Sequence, residues 1–217
     1  MKYKMKIKEN SRVLFIGDSV TDCFCNKDRG EGLFGELGNG YVNDLNNLLL
    51  VNKPTLKSRI FNKGVSGHTI RDLKKRWEKD VIDYHPDYVF MMIGINDIWR
   101  QFDCVFNKET HVYLEEYKNT MEELVKKTLP HVKGIFLMTP FFLEKNKNDG
   151  MRKMVDEYGD CMKQIATQYD LAVIDLQKAI DELLEIYPTQ ALSGDRVHPN
   201  SFGHHFIAHQ IYQYIIK

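Results

Sequence analysis

Four short segments, far apart along the chain, contain residue types that together could cleave an ester: GDSV at 17–20, NKGVSG at 62–67, GIND at 94–97 and SGDRVHPN at 193–200. A serine hydroxyl is a weak nucleophile until an imidazole can take its proton, and that imidazole needs an acid to fix its tautomer and stabilise its charged form. Ser19, His198 and Asp195 supply these three roles, and Asp195 and His198 lie three residues apart in one turn. Attack on an acyl carbon develops negative charge on oxygen, which fixed hydrogen-bond donors must stabilise. The backbone N–H groups of Ser19 and Gly64 and the side-chain amide of Asn96 are candidate donors. Ser19 at a helix start gains the N-terminal dipole, and a glycine at 64 lets backbone approach substrate without an intervening side chain. Taken singly, each of these residues also suits an ordinary turn or helix cap. The chemistry requires that they converge.

Alternating elements provide for that convergence. Short, mostly apolar runs at 12–17, 57–62, 87–93, 134–139 and 171–175 read as strands covered on both faces. Between them lie segments of helical period, clearest at 151–169 and 113–125, and a last helix is expected at 200–216. Five alternations of strand and helix predict one α/β domain over 1–217, a three-layer α/β/α sandwich with a five-stranded parallel sheet. If the strand order is 2-1-3-4-5, strand 1 is central, and Ser19, Gly64 and Asn96 emerge from three neighbouring strand ends. The glycine-rich stretch 22–40 is expected to lie over the same carboxyl edge, where open α/β sheets bind ligands.

Composition narrows the alternatives. The chain has 217 residues, 43% hydrophobic and 12% aromatic, enough for one sizeable core, and its 30 Lys plus Arg equal its 30 Asp plus Glu. That balance carries no electrostatic footprint for nucleic acid or an anionic membrane. The basic opening MKYKMKIKENSR is not followed by the apolar run of a secretion signal, and no stretch reaches the length of a membrane span. Cys23, Cys25, Cys104 and Cys161 are too few and too scattered for a disulfide framework, which fits a reducing, cytoplasmic location. Cys23 and Cys25 with His68 or His85 lack the paired spacing of a structural zinc site, and His204, His205 and His209 have no matching carboxylate or cysteine, so neither a metal nor a cofactor is expected. Nucleotide binding is not expected: GxGxxG does not follow the first strand, and GxxxxGK followed by Ser or Thr is absent.

GDSV, the glycine of NKGVSG, GIND and DRVHP at 195–199 resemble, in order and at similar separations, the four sequence blocks of the SGNH (GDSL-type) hydrolases. The resemblance spans nearly the whole chain. It implies a flavodoxin-like fold and metal-free ester hydrolysis, with Ser19 as nucleophile, Asp195 and His198 as the other triad members, and Ser19, Gly64 and Asn96 as oxyanion partners. GEG at 30–32, LGNGYV at 37–42, NKGVSGHTIRDLKKRW at 62–77, IGINDIWRQFD at 93–103 and LMTPFFLE at 137–144 look like the intracellular acetylxylan esterases of this superfamily. That narrower likeness implies acetylated xylo-oligosaccharides as substrate and a homo-oligomer. Trp99, Arg100 and the 22–40 loop are candidates to hold the sugar. A lipolytic esterase, lysophospholipase or thioesterase of the same superfamily is the nearest alternative, and a flavodoxin-like binding module without catalysis is the alternative from another class.

Overall fold

A computed structural model describes residues 7–28, 30–32 and 34–216. Residues 1–6 of the basic opening, and Arg29 and Leu33 of the glycine-rich stretch, lie outside the described residues. The strands are β1 (Arg12–Gly17), β2 (Arg59–Gly64), β3 (Tyr88–Met92), β4 (Gly134–Met138) and β5 (Ala172–Ile174), parallel throughout in the order β2-β1-β3-β4-β5. This is the expected topology. The second strand, however, runs two residues beyond the expected 57–62, and its last residue Gly64 pairs with Gly17, the last of β1. Lys63 stays within the sheet because its ammonium lies 4.2 Å over the Tyr84 ring while its stem is covered.

The helices are α1 (Ser19–Asp22), α2 (Tyr41–Asn52), α3 (Ile70–Trp77), α4 (Ile95–Asp103), α5 (Leu114–Thr128), α6 (Gly150–Gln168), α7 (Leu176–Leu184) and α8 (Ser201–Ile216). Side chains alternate across each strand, so the sheet has two buried faces. Leu14, Ile16, Val89, Met91, Ile135 and Leu137 pack against α3, α5 and α6. Val13, Phe15, Phe90, Met92, Phe136 and Met138 pack against α2, α7 and α8. On the second face Phe90 is sandwiched, its ring centroid 4.7 Å from Phe15 and 4.2 Å from Phe136. Tyr113, the first residue of the helical segment expected at 113–125, precedes α5 and is 52% exposed.

At the carboxyl edge the strands pass almost directly into helices, whose first N–H groups need partners. Asp18 caps α1, accepting a hydrogen bond from Val20 N at 3.1 Å. Asp97, in the first turn of α4, accepts from Ile70 N at 3.0 Å and so ties the start of α3 to α4. Thr69 N donates to Asp72, completing the cap of α3. Asp18 and Asp97 are fully buried, and burial pushes their pKa values up to about 7 and about 8, although the backbone donors favour the charged forms.

Two outcomes follow from this packing. Phe90→Ala empties the middle of an aromatic stack and is expected to cost about 3–5 kcal/mol in urea unfolding. The raised pKa of Asp97 means that the native state keeps a proton that the unfolded chain releases above its ordinary value of 3.8, so stability falls as pH climbs from there towards about 8. Asp97→Asn has no such proton to lose. Its stability relative to wild type is expected to improve by about 1 kcal/mol or more between about pH 5 and about pH 8, read from urea midpoints at each pH.

Candidate active site

The end of β1 and the loop before α8 meet at the carboxyl edge of the sheet. Ser19 Oγ lies 2.8 Å from His198 Nε2, and His198 Nδ1 lies 2.6 Å from Asp195 Oδ2, although serine and histidine are 179 residues apart. The other oxygen of Asp195 accepts from the backbone N–H groups of Val197 (2.9 Å) and His198 (2.8 Å) and from Ser193 Oγ (3.1 Å). Burial opposes ionisation of Asp195, but the bonds from His198 and Val197 outweigh it and hold the carboxyl far below the usual carboxylate range. Asp195 is thus a standing negative charge against Nδ1. It fixes that nitrogen as N–H and leaves Nε2 as the acceptor facing Ser19.

The strand ends bring Ser19, Gly64 and Asn96 to one edge, but they do not make Gly64 a donor. Gly64 N–H is already bonded to Asn62 Oδ1 at 2.9 Å, and Gly64 is buried beneath α1, where an added Cβ would overlap the Asp22 backbone. The glycine of this position serves close packing. The next turn, Val65 to His68, is closed by His68 N donating to Val65 O at 3.3 Å. Its third residue, Gly67, has φ +79°, which a type II turn requires and which side chains resist. Gly67 N–H, in the central peptide of the turn, has no partner among the described residues, and neither has Ser19 N–H, the first of its helix. These two amides, with Asn96, are the available donors.

Four side chains hold that turn in place. Asp22 Oδ2 accepts from Ser66 N (2.9 Å) and Ser66 Oγ (2.8 Å) at one end, and Asp97 accepts from Ile70 at the other. Asn96 Nδ2 donates to His68 O at 3.1 Å, which commits one amide hydrogen and leaves the second for a ligand. Arg76 Nε donates to His68 Nδ1 at 3.1 Å. Asp22 is also ion-paired to Lys27, whose Nζ reaches Gly64 O at 3.0 Å.

Of the residues expected to bind substrate, Trp99 is half-buried against the core, its ring centroid 5.8 Å from that of His198. Arg100 turns back over the indole at 5.2 Å and pairs with Asp103 at 2.9 Å, so it does not reach the triad. The described part of the 22–40 stretch lies at this edge through Asp22 and Asn39, and it exposes Phe24 and Phe34. Cys25 is buried near Asp22 and Lys27, and Cys23 Sγ lies 3.5 Å from His204 Nε2. The residues that frame the site, buried Asn62 and Asp22 and the partly buried Arg76, were not among the sequence candidates; the polar pair Asn62–Lys63 was a signal for the first alone.

Residues 15–206 match the GDSL-like Lipase/Acylhydrolase family. An acetylxylan esterase of Geobacillus stearothermophilus is 52% identical over 204 residues, covering 94% of this chain and 93% of that one. The crystal structure of Axe2, an acetylxylan esterase from Geobacillus stearothermophilus, superposes with a TM-score of 0.96 at 50% identity, covering 98% of this chain and 97% of Axe2. Further Axe2 structures are of catalytic mutants in which a serine, a histidine or an aspartate is replaced by alanine. LAE5, an α/β hydrolase from the metagenome of Lake Arreo, Spain, has a TM-score of 0.94 at 45% identity, with 96% of each chain covered. With the serine, histidine and aspartate aligned at the edge of this sheet, and with likeness along nearly its whole length, the chain belongs to the GDSL-like lipase/acylhydrolase family of the SGNH fold.

Proposed function

We propose that this protein is a serine esterase, one catalytic domain over its 217 residues, that removes acetyl groups from acetylated xylo-oligosaccharides. The observation that carries this reading is the unbroken relay from Ser19 Oγ through His198 to Asp195, at 2.8 and 2.6 Å. His198 Nε2 takes the hydroxyl proton as Ser19 Oγ attacks the acetyl carbonyl carbon. The oxygen of the tetrahedral intermediate rests on Ser19 N–H, Gly67 N–H and the second hydrogen of Asn96 Nδ2. The imidazolium, steadied by Asp195, returns its proton to the sugar oxygen, and the C–O bond to the alcohol breaks. Water then attacks the acetyl-enzyme with His198 again as base, giving acetate and free serine.

The apolar space nearest the triad in sequence, between Val20, Ile95, Phe141 and Val197, holds only about 10 Å³, room for about one water-sized group and too little for a long acyl chain. The alcohol side is open: His198 and Asp195 side chains are each 44% exposed. Trp99 beside His198 offers an edge against which a sugar ring can lie. The likeness to acetylxylan esterases supports the same substrate class. The thiols of Cys23, Cys25, Cys104 and Cys161 are all free, which supports a reducing, cytoplasmic setting.

Initial rates on p-nitrophenyl acetate, p-nitrophenyl decanoate and an acetylated xylobiose, for wild type and Ser19→Ala, test the proposal. Turnover of both acetyl substrates is expected, with little of the decanoate and a loss of about 10³-fold or more in Ser19→Ala. A preference for decanoate moves the assignment to a lipolytic relative, and equal rates in Ser19→Ala end the serine mechanism. Asp195 remains ionised well below neutrality and keeps its charge against His198 on the acid side. Log kcat/KM on the acetyl ester is expected to fall as pH drops, because protonated His198 cannot accept from Ser19. A rate that stays flat far into acid contradicts that assignment.

A further inference from the structure

The turn that carries Gly67 is held from behind by a side chain that touches none of the reacting atoms. Arg76, in the last turn of α3, is 13% exposed and spends its guanidinium on four partners. Nη2 donates to Gly17 O at 3.0 Å, Nη1 to Lys63 O at 2.7 Å and Asp80 at 2.8 Å, and Nε to His68 Nδ1 at 3.1 Å. A guanidinium can only donate, so His68 Nδ1 must be an unprotonated acceptor and the imidazole neutral, with its hydrogen on Nε2. The carbonyl of this same residue receives Asn96 Nδ2. His68 thus joins a fixed cation beneath the ends of β1 and β2 to both donors supplied by the rest of the edge: Gly67, its chain neighbour, and Asn96, its hydrogen-bond partner.

We infer that His68 is a positioning residue for acyl transfer, a neutral imidazole clamped by Arg76 that keeps the Gly67 amide and the Asn96 side chain aimed at the developing oxyanion. The inference deepens the esterase reading and rests on it. Oxyanion stabilisation depends on donors preorganised at the position the charged oxygen will take, so a turn free to rock loses rate more than substrate affinity. Protonating His68 would place a hydrogen on Nδ1 where Arg76 Nε–H already points, and would set two cations in contact. The ring faces Arg76, Asp72 and Asp80 on α3 and its continuation, and Lys27 from the loop after α1. Burial first, and then the charge of Arg76, lower its pKa, which keeps the clamp closed as pH falls.

The test compares wild type, His68→Ala, His68→Asn and Ser19→Ala. Asparagine puts an amide oxygen close to the place of Nδ1 and has no proton to gain, whereas alanine leaves Arg76 Nε without its partner. The readouts are kcat and KM on p-nitrophenyl acetate and inhibition by phenylboronic acid, whose boron bonds to the nucleophilic oxygen and presents a tetrahedral oxygen to the donors; thermal melts check folding. His68→Ala is expected to lose about tenfold or more in kcat with KM within about twofold, and to bind the boronate correspondingly less well. His68→Asn is expected to recover most of both. A folded His68→Ala with wild-type kcat, or an equal loss in His68→Asn, overturns the inference. Should the alanine variant not fold, His68→Gln replaces it, since its amide oxygen reaches the place of Nε2 and not of Nδ1, and wild-type kcat there is equally fatal. Activity surviving in Ser19→Ala removes the esterase reading itself, whereas an inactive Ser19→Ala beside a wild-type-like His68→Ala removes only the clamp.

Discussion

Asn62, 1% exposed near the end of β2, has three strong backbone partners, and each belongs to a different part of the site. Its Nδ2 donates to Thr21 O at 2.7 Å in α1, the helix that Ser19 begins, and to Leu37 O at 2.9 Å in the glycine-rich stretch, while Oδ1 accepts from Gly64 N at 2.9 Å where β2 turns into the next loop. A side-chain amide has two donors and two acceptor lone pairs, so this residue meets three of its four hydrogen-bonding positions inside the protein. The three backbone groups it satisfies are buried, and each would carry a desolvation penalty of about 1–3 kcal/mol if left alone. No apolar residue of the same size could hold three chain segments in one arrangement. The sheet delivers Ser19, the turn and the loop to one edge, and Asn62 sets the distances between them.

Around that point the protein uses aspartates in two opposite ways, and burial decides which. Asp195 is partly exposed and surrounded by N–H donors, so it keeps its charge and orients His198. Asp18 and Asp97 are enclosed among apolar residues with few donors, so burial favours their neutral forms and they act as fixtures of the helix starts. His204 follows the same logic: burial, and then the charge of His198, push its pKa down to about 4. It accepts from Tyr41 N at 3.2 Å and joins α8 to α2 as an uncharged ring. Titrating groups are dense at this edge, yet the geometry leaves one imidazole, that of His198, between the nucleophile and a charged partner.

What could be read from residue order was the part governed by local rules. Short, mostly continuous apolar runs marked the five strands, and their alternation with helical segments indicated a parallel sheet with right-handed crossovers, because both signals act through neighbours in sequence or through chirality. That Ser19, Asp195 and His198 meet was legible because serine, acid and imidazole form a recognisable chemical set and because two of them share a turn. Gly64 was misassigned for a physical reason: polar Asn62 and Lys63 look like a strand end, yet both are absorbed by the sheet, one through its backbone partners and the other through Tyr84. That extension moves the reactive turn three residues further on, to Gly67. The partnering of Gly64 N–H by Asn62, and the link from Arg76 to His68, are long-range facts of packing that composition and spacing do not encode.

The pinned turn between Val65 and His68 also bears on how such a site can change over generations. The groups that would hold the carbonyl oxygen are two main-chain amides and one carboxamide, anchored by Asp22, Asn62, Arg76 and Asp97 to the ends of the strands. Phe24 and Phe34, in the stretch after α1, and Phe106, in the segment after α4, face solvent and take no part in this lattice. Replacing them leaves the anchors of the three donor groups in place. The architecture thereby separates the inheritance of a reaction from the inheritance of a preference, so that a lineage can exchange one alcohol for another while its catalytic machinery drifts very little.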